Sequence, residues 1–395
     1  MKILCVIDNL GSGGAQRQLT AIAVGLKARG HTVEFFTYYP EDHFKPELDR
    51  AGIPVHLSLK RSRFSFKPLF ALRRLIRKSG FDAVLAFLET PALYAELASW
   101  PTREWGLVVG ERSANPGMAR GTKRLMRHFH RLADAVITNS RANKKMLYQH
   151  FPALKRKLGT IYNVVDLDRF KPLSTETSSL PDGTVRVVVS ASYQANKNME
   201  GIAKALLLFE QDSHSQGLVV DWYGGMPADK SAHARVTNFI SENGLTDRLR
   251  LHSQIRNIER EFQHATAIGL FSFYEGLPNT ICEGMACAKP ILMSDVCDAR
   301  ILVRDGTNGF LCNPHSPESI ASAFKRLLSL SRDERTAFGQ ESRRRAELLF
   351  SPAAVVDNYE KVLTSVVARE PLPRSVLAGP GAPTGWDVRN ESKLA

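Results

Sequence analysis

Two glutamates stand eight positions apart in a segment that also contains a turn and a helix start. Residues 272–290 read SFYEGLPNTICEGMACAKP, in which Glu275 follows an apolar run and Glu283 lies in a helical pattern. N–H groups at a helix start bind anions, and carboxylates bind sugar hydroxyls through charge-assisted hydrogen bonds. Either acid alone could be a helix cap or a surface residue, but the turn between them favours a ligand site. The segment predicts a nucleotide-sugar site, with the ribose on Glu283, the sugar on Glu275 and the diphosphate on the backbone of Gly276, Leu277, Pro278, Asn279 and Thr280.

A lysine occupies a second junction between a predicted strand and a predicted helix. Residues 190–198 read SASYQANKN and contain Lys197. An exposed lysine near a helix start is the plain alternative, but a cation there opposes the helix dipole. An anionic ligand explains it better, and Lys197 is predicted to neutralise a departing diphosphate as a point charge.

A glycine-rich loop follows the first apolar run of the chain. Residues 9–18 read NLGSGGAQRQ, and Gly13 and Gly14 allow a ligand to approach the backbone before a helix begins. A dinucleotide fingerprint fails here, because its last glycine would fall on Gln16 and no acid stands at Thr37–Tyr39. The loop predicts a phosphate or sugar contact, with a plain tight turn as the alternative.

The positive charge of the chain lies in its first half. The whole chain has 53 Lys and Arg against 40 Asp and Glu, whereas residues 1–170 have 28 against 14 and the remainder 25 against 26. Basic residues interleaved with Phe and Leu suit an anionic bilayer, each cation contributing roughly 1 kcal/mol near it. Nucleic acid is disfavoured because no base-reading module is present, and a solvated surface remains the simple alternative. The basic stretches lie at 61–67, 73–78, 123–131 and 155–157.

Short apolar runs alternate with helical patterns in both halves, which predicts parallel sheets covered by helices on both faces. We predict an α/β fold of two doubly wound, Rossmann-like domains facing a central cleft: residues 1–170, a linker at 171–184, residues 185–350, and a flexible tail at 370–395. Predicted strands lie at 2–7, 31–37, 55–59, 83–87, 107–109, 135–138, 159–162, 185–190, 218–223, 249–252, 268–271, 290–293 and 309–312. Predicted helices lie at 15–29, 67–78, 117–133, 141–150, 197–211, 230–243, 258–264, 280–287, 317–330, 332–349 and 352–367.

The number of cysteines and the hydropathy of the sequence indicate the cellular compartment in which we expect the protein. The five cysteines form no CxxC pair, which argues against a disulfide framework or a zinc knuckle. No stretch approaches 18 apolar residues, and the first apolar run is too short for a signal peptide. We expect a cytoplasmic protein, peripheral on the inner face of the membrane, with no acidic pair for a metal and no cofactor.

These segments, in this order, resemble the family 4 retaining glycosyltransferases, which have the GT-B fold. The acids Glu275 and Glu283 match that family's E-x7-E motif, and residues 11–18 are similar to its GGA-[EQ]-R start. Residues 163–170, with NVVD and a final Phe, and residues 305–310, DGTNGF, look like two further family segments. Residues 350–359 resemble the closing helix, about 352–368, which in such proteins crosses back onto the first domain.

The resemblance implies a function and roles for individual residues. It implies retaining, metal-independent transfer of a hexosyl or N-acetylhexosaminyl group from a nucleoside diphosphate sugar, a UDP-sugar. Glu283 would bind the ribose, Glu275 the sugar, and Lys197 the diphosphate together with Gly13 and Gly14. Ile255 and Arg256 would lie beside the base. The first domain would bind the acceptor, a polyprenyl-diphosphate-linked or other glycan in cell-surface polysaccharide assembly.

The chain departs from the family pattern at three positions. Ser192 replaces an arginine, so phosphate binding would depend on Lys197, on the backbone, or on Arg17, Arg112 or Arg256. The cleft histidine has no match, which leaves Glu89, with Arg112, as a speculative acceptor contact. Ala288 replaces a glycine, which suggests a packing change. A nucleotide-sugar 2-epimerase and a non-catalytic binding protein for a nucleotide sugar or an anionic lipid remain alternatives.

Overall fold

The computed structural model describes residues 1–62, 65–112, 121–173, 183–210, 217–227 and 229–381. It divides into two units: Met1–Val164 with the segment that begins at Pro352, and Val165–Ser351. Each unit contains one sheet in which every strand pair is parallel. The predicted α/β class with two doubly wound parallel sheets is therefore confirmed.

The first unit has a seven-stranded sheet in the order β3-β2-β1-β4-β5-β6-β7. Along β1, Ile3 and Cys5 pack into one apolar cluster and Leu4 and Val6 into another, because alternate side chains face opposite sides of a strand. Both faces are covered, which is why the strands read as continuous apolar runs. The strands are β1 Lys2–Val6, β2 Thr32–Thr37, β3 Val55–Leu57, β4 Ala83–Phe87, β5 Gly106–Glu111, β6 Ala135–Thr138 and β7 Leu158–Thr160.

Among the described residues, six α-helices precede the second unit. They are α1 Gly14–Ala28, α2 Lys45–Arg50, α3 Lys67–Ser79, α4 Glu89–Ala98, α5 Gly121–His128 and α6 Arg141–His150. Helix α4 was not predicted, and neither was α2. The helix predicted at 117–133 is α5 followed by the 3-10 turn Phe129–Leu132, while residues 117–120 lie outside the described residues.

The second unit has a six-stranded sheet in the order β10-β9-β8-β11-β12-β13. Its strands are β8 Val185–Ser190, β9 Leu218–Gly224, β10 Leu249–Ser253, β11 Ala267–Leu270, β12 Ile291–Ser294 and β13 Gly309–Cys312. Its helices are α7 Met199–Glu210, α8 Ser231–Glu242, α9 Ile258–His264, α10 Asn279–Ala286, α11 Ala299–Leu302, α12 Pro317–Ser329 and α13 Arg332–Phe350. The contacts place its start at Val165, whose N–H donates to the Phe350 carbonyl at 3.1 Å. Residues 174–182 of the linker predicted at 171–184 lie outside the described residues.

Two helices that follow the second unit in the chain belong to the first unit: α14 Pro352–Val367 and α15 Arg374–Ala378. Helix α14 packs on α1, where a Cβ on Gly25 would come within 2.5 Å of the Val356 side chain. The flexible tail predicted at 370–395 is wrong for 370–381, because Val376 is buried and Lys144 Nζ donates to the Leu377 carbonyl at 2.6 Å. Residues 382–395 lie outside the described residues. Within the described chain, no helix is long and apolar enough to cross a bilayer.

Candidate active site

A lysine–glutamate pair stands where β8 and β11 end in the second unit. Lys197 Nζ donates to Glu275 Oε1 at 2.6 Å, and the Ser272 hydroxyl donates to the same oxygen at 2.7 Å. The side chains of the pair are only 19% and 12% exposed. Strands β8 and β11 are hydrogen-bonded neighbours, so their carboxyl ends bring together two predicted residues that are 78 positions apart in the chain.

Asn198 fixes the two loops that carry this pair. Its side-chain amide donates to the carbonyls of Phe271 at 3.1 Å and Pro314 at 2.8 Å, and its side-chain oxygen accepts from the Gly201 N–H. Its backbone is left-handed, with φ 62°, a conformation that Asn tolerates better than most residues. Sequence analysis missed Asn198, and an Asn directly after a cleft lysine is the only local signal for it.

The N-terminus of α10 lies beside the carboxyl end of β8. The Thr280 hydroxyl donates to the Ser190 carbonyl at 2.6 Å. Pro278 occupies the N-cap position, and its side chain makes no capping hydrogen bond. Leu277 and Pro278 are buried, whereas Gly276, Asn279 and Thr280 are partly exposed. The first turn of α10 therefore presents backbone N–H groups and the positive end of the helix dipole beside the lysine–glutamate pair.

Glu283 lies one turn into α10 and is 7% exposed. The helix is held close to the sheet, since a Cβ on Gly284 would come within 2.6 Å of Ile268 on β11. At the other end of α10, Arg343 Nη1 donates to the Ala286 carbonyl at 2.7 Å, which satisfies a helix-end acceptor. Glu283 therefore stands on a helix that is anchored at its middle and at its C-terminus.

The residue that replaces the family glycine raises a question of backbone strain as well as packing. Ala288 has φ 56°, in the left-handed region that favours glycine. Its carbonyl oxygen lies against Gly339 of α13, where a Cβ would overlap it. The interpretation of Ala288 as a packing change alone is therefore incomplete, because the side chain costs about 1 kcal/mol of backbone strain here.

Ile255 and Arg256 lie on the exposed loop that follows β10. Ile255 is 38% exposed, and the Arg256 carbonyl accepts from Arg169 Nη2 at 2.9 Å. Arg169 also pairs with Glu259 at 2.8 Å, so the loop is tied to the start of α9. Neither predicted residue contacts the lysine–glutamate pair through a hydrogen bond or ion pair that the structure records.

The glycine-rich loop of the first unit is held by glutamines. Gly13 is the N-cap of α1 and Gly14 its first residue, and both are exposed. Gln16 Nε2 donates to the side-chain oxygens of Asp8 at 3.0 Å and Asn9 at 3.2 Å. Gln16, which excluded the dinucleotide fingerprint, therefore shapes the loop instead. Burial, the largest influence on Asp8, raises the pKa of that carboxyl.

Gln18 links the glycine-rich segment to the NVVD segment. Its side-chain oxygen accepts from the Val164 N–H at 2.6 Å, and its Nε2 donates to the Val164 carbonyl at 2.9 Å. Gln18 is buried, so these two bonds satisfy the backbone N–H and C=O of Val164, which lies outside the strands. Two motifs far apart in the chain are thereby joined within the first unit.

A buried charge network lies at the carboxyl ends of β4 and β5, and Glu89 is its most exposed member. It consists of Glu89, Glu96, Glu111, Arg127 and His130. Arg127 Nη2 donates to Glu89 at 2.9 Å and to Glu111 at 3.1 Å. His130 contacts Glu96 through Nδ1 at 2.6 Å and Glu111 through Nε2 at 3.0 Å. Glu89 opens α4 rather than lying in a loop, and its carboxylate is engaged within this network.

The network corrects one part of the charge analysis. Arg127 and His130 belong to the basic stretch predicted at 123–131 to face a membrane, but both are buried. Burial by itself disfavours the charged ring of His130, yet the carboxylates of Glu96 and Glu111 outweigh it and raise the pKa of His130 to about 9. Sequence analysis did not find either partner glutamate.

Arg112 follows β5 and lies on the opposite side of that strand from the network. Its guanidinium carbon is 4.2 Å from the centroid of the Phe87 ring, and its carbonyl accepts from Asn139 Nδ2 at 3.3 Å. Burial lowers the pKa of Arg112. Within the described residues, no group of His, Cys, Asp and Glu could hold a metal ion.

Two family models match the chain one after the other. Residues 12–169 match Glycosyltransferase Family 4, and residues 171–345 match Glycosyl transferases group 1. The order and extent of the matches follow the two units of the structure.

Curated relatives and a solved structure are similar over most of the chain. The N-acetylgalactosamine-N,N'-diacetylbacillosaminyl-diphospho-undecaprenol 4-alpha-N-acetylgalactosaminyltransferase of Campylobacter jejuni is 24% identical over 83% of this chain and 90% of its own length. The D-inositol 3-phosphate glycosyltransferase of Thermobifida fusca is 26% identical over 80% and 81%. The structure of Anabaena HepE in complex with UDP and glucose superposes with a TM-score of 0.81 at 20% identity, covering 92% of this chain and 100% of HepE.

Proposed function

The chain belongs to the family 4 glycosyltransferases of GT-B fold, and from that premise we propose that it transfers a sugar from a UDP-sugar to a lipid-linked acceptor with retention of anomeric configuration. The observation that carries the proposal is the Lys197–Glu275 pair beside the N-terminus of α10. A cation, a carboxylate and the N-terminus of a helix are the groups that a nucleoside diphosphate sugar requires. The UDP moiety is proposed by analogy with the Anabaena neighbour, whose structure holds UDP and glucose.

When the donor binds, its phosphates would become the main partner of Lys197. Among the described residues, Lys197 has one carboxylate partner, Glu275, at 2.6 Å. A bound diphosphate would offer Lys197 a second, more highly charged partner, and Glu275 could then accept hydrogen bonds from the sugar hydroxyls in place of the one from Lys197. The Ser272 hydroxyl still donates to Glu275 Oε1, which keeps that carboxylate oriented. Glu283 would hold the ribose diol from its buried position on α10.

The chemical step would be the departure of the diphosphate with its electron pair. The bond between the anomeric carbon and the phosphate oxygen breaks through an oxocarbenium-like transition state. The acceptor hydroxyl attacks from the same face, and its proton passes to the departing phosphate oxygen. Lys197 and the N-terminus of α10 would stabilise the negative charge that grows on that oxygen, in place of a metal ion.

The acceptor we propose is a glycan on a polyprenyl diphosphate at the cytoplasmic face of the membrane. The name of the Campylobacter relative specifies a diphospho-undecaprenol acceptor for that enzyme. In the first unit of this chain, α3 turns two aromatic rings outward, with Phe66 at its start 60% exposed and Phe70 66% exposed. Trp100 is 63% exposed and lies next to α3, because Arg73 Nη1 of that helix donates to the Trp100 carbonyl at 2.8 Å. Helix α3 contains no acid, and its remaining basic residues are Lys67, Arg74, Arg77 and Lys78.

This α3 face combines the two features that bind an anionic interface. Its inward residues Pro68, Leu72 and Ile76 are buried, so the exposed aromatic rings are not required by the core. Aromatic side chains insert at the headgroup level, and each cation near the surface contributes roughly 1 kcal/mol. The protein surface that we propose to contact the membrane therefore consists of α3 and Trp100. It does not include Arg127 and His130, which are buried.

A donor panel with matched ion-pair variants tests the reaction. The second unit offers an internal control, since Lys204 and Glu200 form a 2.7 Å pair that is about half exposed. We expect Lys197→Gln and Glu275→Gln to lower kcat for transfer by about 10²–10³, while Lys204→Gln and Glu200→Gln leave it unchanged. Near-wild-type turnover in both Lys197→Gln and Glu275→Gln would overturn the assignment, as would an epimerised donor as the product.

Vesicle flotation tests the membrane surface. Phe70→Ser should reduce flotation with phosphatidylcholine vesicles that contain phosphatidylglycerol. The control is Leu348→Ser, because Leu348 is 71% exposed on α13 of the second unit. Equal flotation of the wild-type protein with anionic and neutral vesicles would contradict the proposed surface.

A further inference from the structure

Within the described residues, the buried charge of Arg112 has no counter-ion. Part of the residue is accessible, but both terminal nitrogens, Nη1 and Nη2, are buried and have no hydrogen-bond acceptor among those residues. The adjacent acid cannot serve, because the Glu111 carboxylate lies on the other face of β5 and is engaged by Arg127 and His130. Tyr359 of α14 interacts with the Arg112 guanidinium, and within the described part of the chain its buried hydroxyl also lacks a hydrogen bond of good geometry.

Other buried arginines in the same protein have acidic partners. Arg127 pairs with Glu111 and Glu89, and Arg186 of the second unit pairs with Asp221 and Glu261. An arginine cannot discharge in a protein, and burying an unpaired charge is strongly unfavourable. The contact of Arg112 with the Phe87 ring, 4.2 Å from the guanidinium carbon to the ring centroid, offsets part of that cost. An anionic ligand would supply the missing counter-charge and remove the remaining cost of burying the Arg112 guanidinium.

The position of Arg112 agrees with a ligand site. It directly follows the carboxyl end of β5, and Phe87 is the last residue of β4, so both lie at the edge where open parallel sheets bind ligands. A guanidinium and a phenolic hydroxyl are both donors, and arginine recognises phosphate oxygens through two parallel hydrogen bonds.

We propose that Arg112 and Tyr359 bind a phosphoryl group of a reactant. This inference rests on the proposed function only for the identity of the ligand: the phosphoryl group belongs either to the donor diphosphate or to the diphosphate of the lipid-linked acceptor. The two donors surround an anion that neutralises the guanidinium, and the energy gained is used for substrate binding rather than for folding.

The first test separates a ligand-binding arginine from a structural one. Arg112→Met removes the charge and keeps an apolar chain over the Phe87 ring. Without ligand, the variant should be at least as stable as the wild-type protein in urea. A clear loss of stability in Arg112→Met, together with unchanged transfer, would show a structural role and overturn the proposal.

Hydrogen exchange with inorganic diphosphate localises the anion. At about ten times its dissociation constant, the ligand should slow exchange through global opening of a unit about tenfold. We expect this protection on peptides that cover β4 and β5 in the wild-type protein and its loss in Arg112→Met and Tyr359→Phe. Protection of α10 by the Lys197 site should persist in both variants. Arg156→Met, at an exposed position, is the matched control and should behave as the wild-type protein. Protection of β4 and β5 that survives in Arg112→Met would refute the site.

Steady-state kinetics identifies the source of the phosphoryl group. A rise in the KM for acceptor with unchanged donor hydrolysis assigns it to the acceptor, whereas a rise in the KM for donor assigns it to the nucleotide sugar. Arg112→Lys, which keeps the charge without the planar fork, should recover part of the lost affinity. If the wild-type protein transfers no sugar from any donor, the proposed function fails, but the exchange experiment still decides whether Arg112 binds an anion.

Discussion

Raising the pH from 6.5 to above 9 should destabilise the first unit through His130. The protonated ring donates to Glu96 at 2.6 Å and to Glu111 at 3.0 Å, and it is almost fully buried. Its folded pKa of about 9 lies above the unfolded value of 6.5. The stabilisation is therefore fully present below pH 6.5 and is lost as the pH rises through 9.

The magnitude follows from the difference between the two pKa values. One pKa unit corresponds to about 1.4 kcal/mol, so the interval from 6.5 to about 9 gives about 3 kcal/mol of unfolding free energy. Burial disfavours the charged form of the His130 ring, and the two carboxylates together outweigh burial. Removing one carboxylate should therefore lower the pKa of His130 and reduce the pH dependence of stability. The pKa of Glu111 is lowered, because the hydrogen bond from His130 and the charge of Arg127 outweigh burial.

Comparison of His130→Asn with the wild-type protein isolates this contribution. The destabilisation by His130→Asn should be about 3 kcal/mol larger at pH 6.5 than at pH 10. Urea unfolding read by pulsed hydrogen exchange on β4 and β5 reports the first unit by itself. His128→Asn is the control, since the His128 ring is exposed; within the described part of the chain it contacts the Arg124 carbonyl and the Phe151 ring and no carboxylate. If His130→Asn does not fold, Glu96→Gln should show a smaller pH dependence than the wild-type protein.

The reasoning is refuted by a destabilisation that is the same at both pH values. It is also refuted if His128→Asn shows the same pH dependence as His130→Asn, because the effect would then not depend on burial between two carboxylates.

Three further predictions concern the second unit, measured by urea unfolding with exchange read on β8 and β11. Ala288→Gly should stabilise the unit by about 0.5–1 kcal/mol, because it removes the strain of a left-handed backbone; no gain would contradict the strain. Gly284→Ala should cost about 1–3 kcal/mol, since the new Cβ would meet Ile268 at 2.6 Å; a neutral change would mean that α10 can move. Asn198→Ala should cost about 2–4 kcal/mol and lower transfer, because it leaves two buried carbonyls and one N–H without partners; unchanged transfer would show that Asn198 does not position Lys197.

The strands were predictable because both faces of each sheet are buried. A parallel strand covered on both sides is a continuous apolar run between turns, and 83–87, 135–138, 185–190 and 309–312 were predicted with the bounds that the structure has. Helix α4 was missed because Pro91 reads as a break. Pro91 falls in the first turn of α4, where a missing N–H has no partner to lose, and the helix continues.

The candidate site was predictable only in its local part. Glu275, the turn, Thr280 and Glu283 are close in sequence, so spacing alone places them on one loop and one helix. Asn198 and Ser272 were missed because their roles depend on loops that meet in three dimensions. Charge counting also failed where burial decides, since a basic residue such as Arg127 counts equally whether it faces solvent or a glutamate.

By itself, the sequence determined what short-range rules control: the strand–turn–helix units, the parallel sheets, the glycines and acids of the loops, and the uneven charge of the two halves. Only the tertiary structure decided which charges are paired. In the folded protein Lys197 pairs with Glu275 and His130 contacts two glutamates, whereas Arg112 has no acidic partner among the described residues. The physical reason is that the energy of a charge depends on its distance to other charges and on its access to water, and folding sets both quantities between residues far apart in the chain.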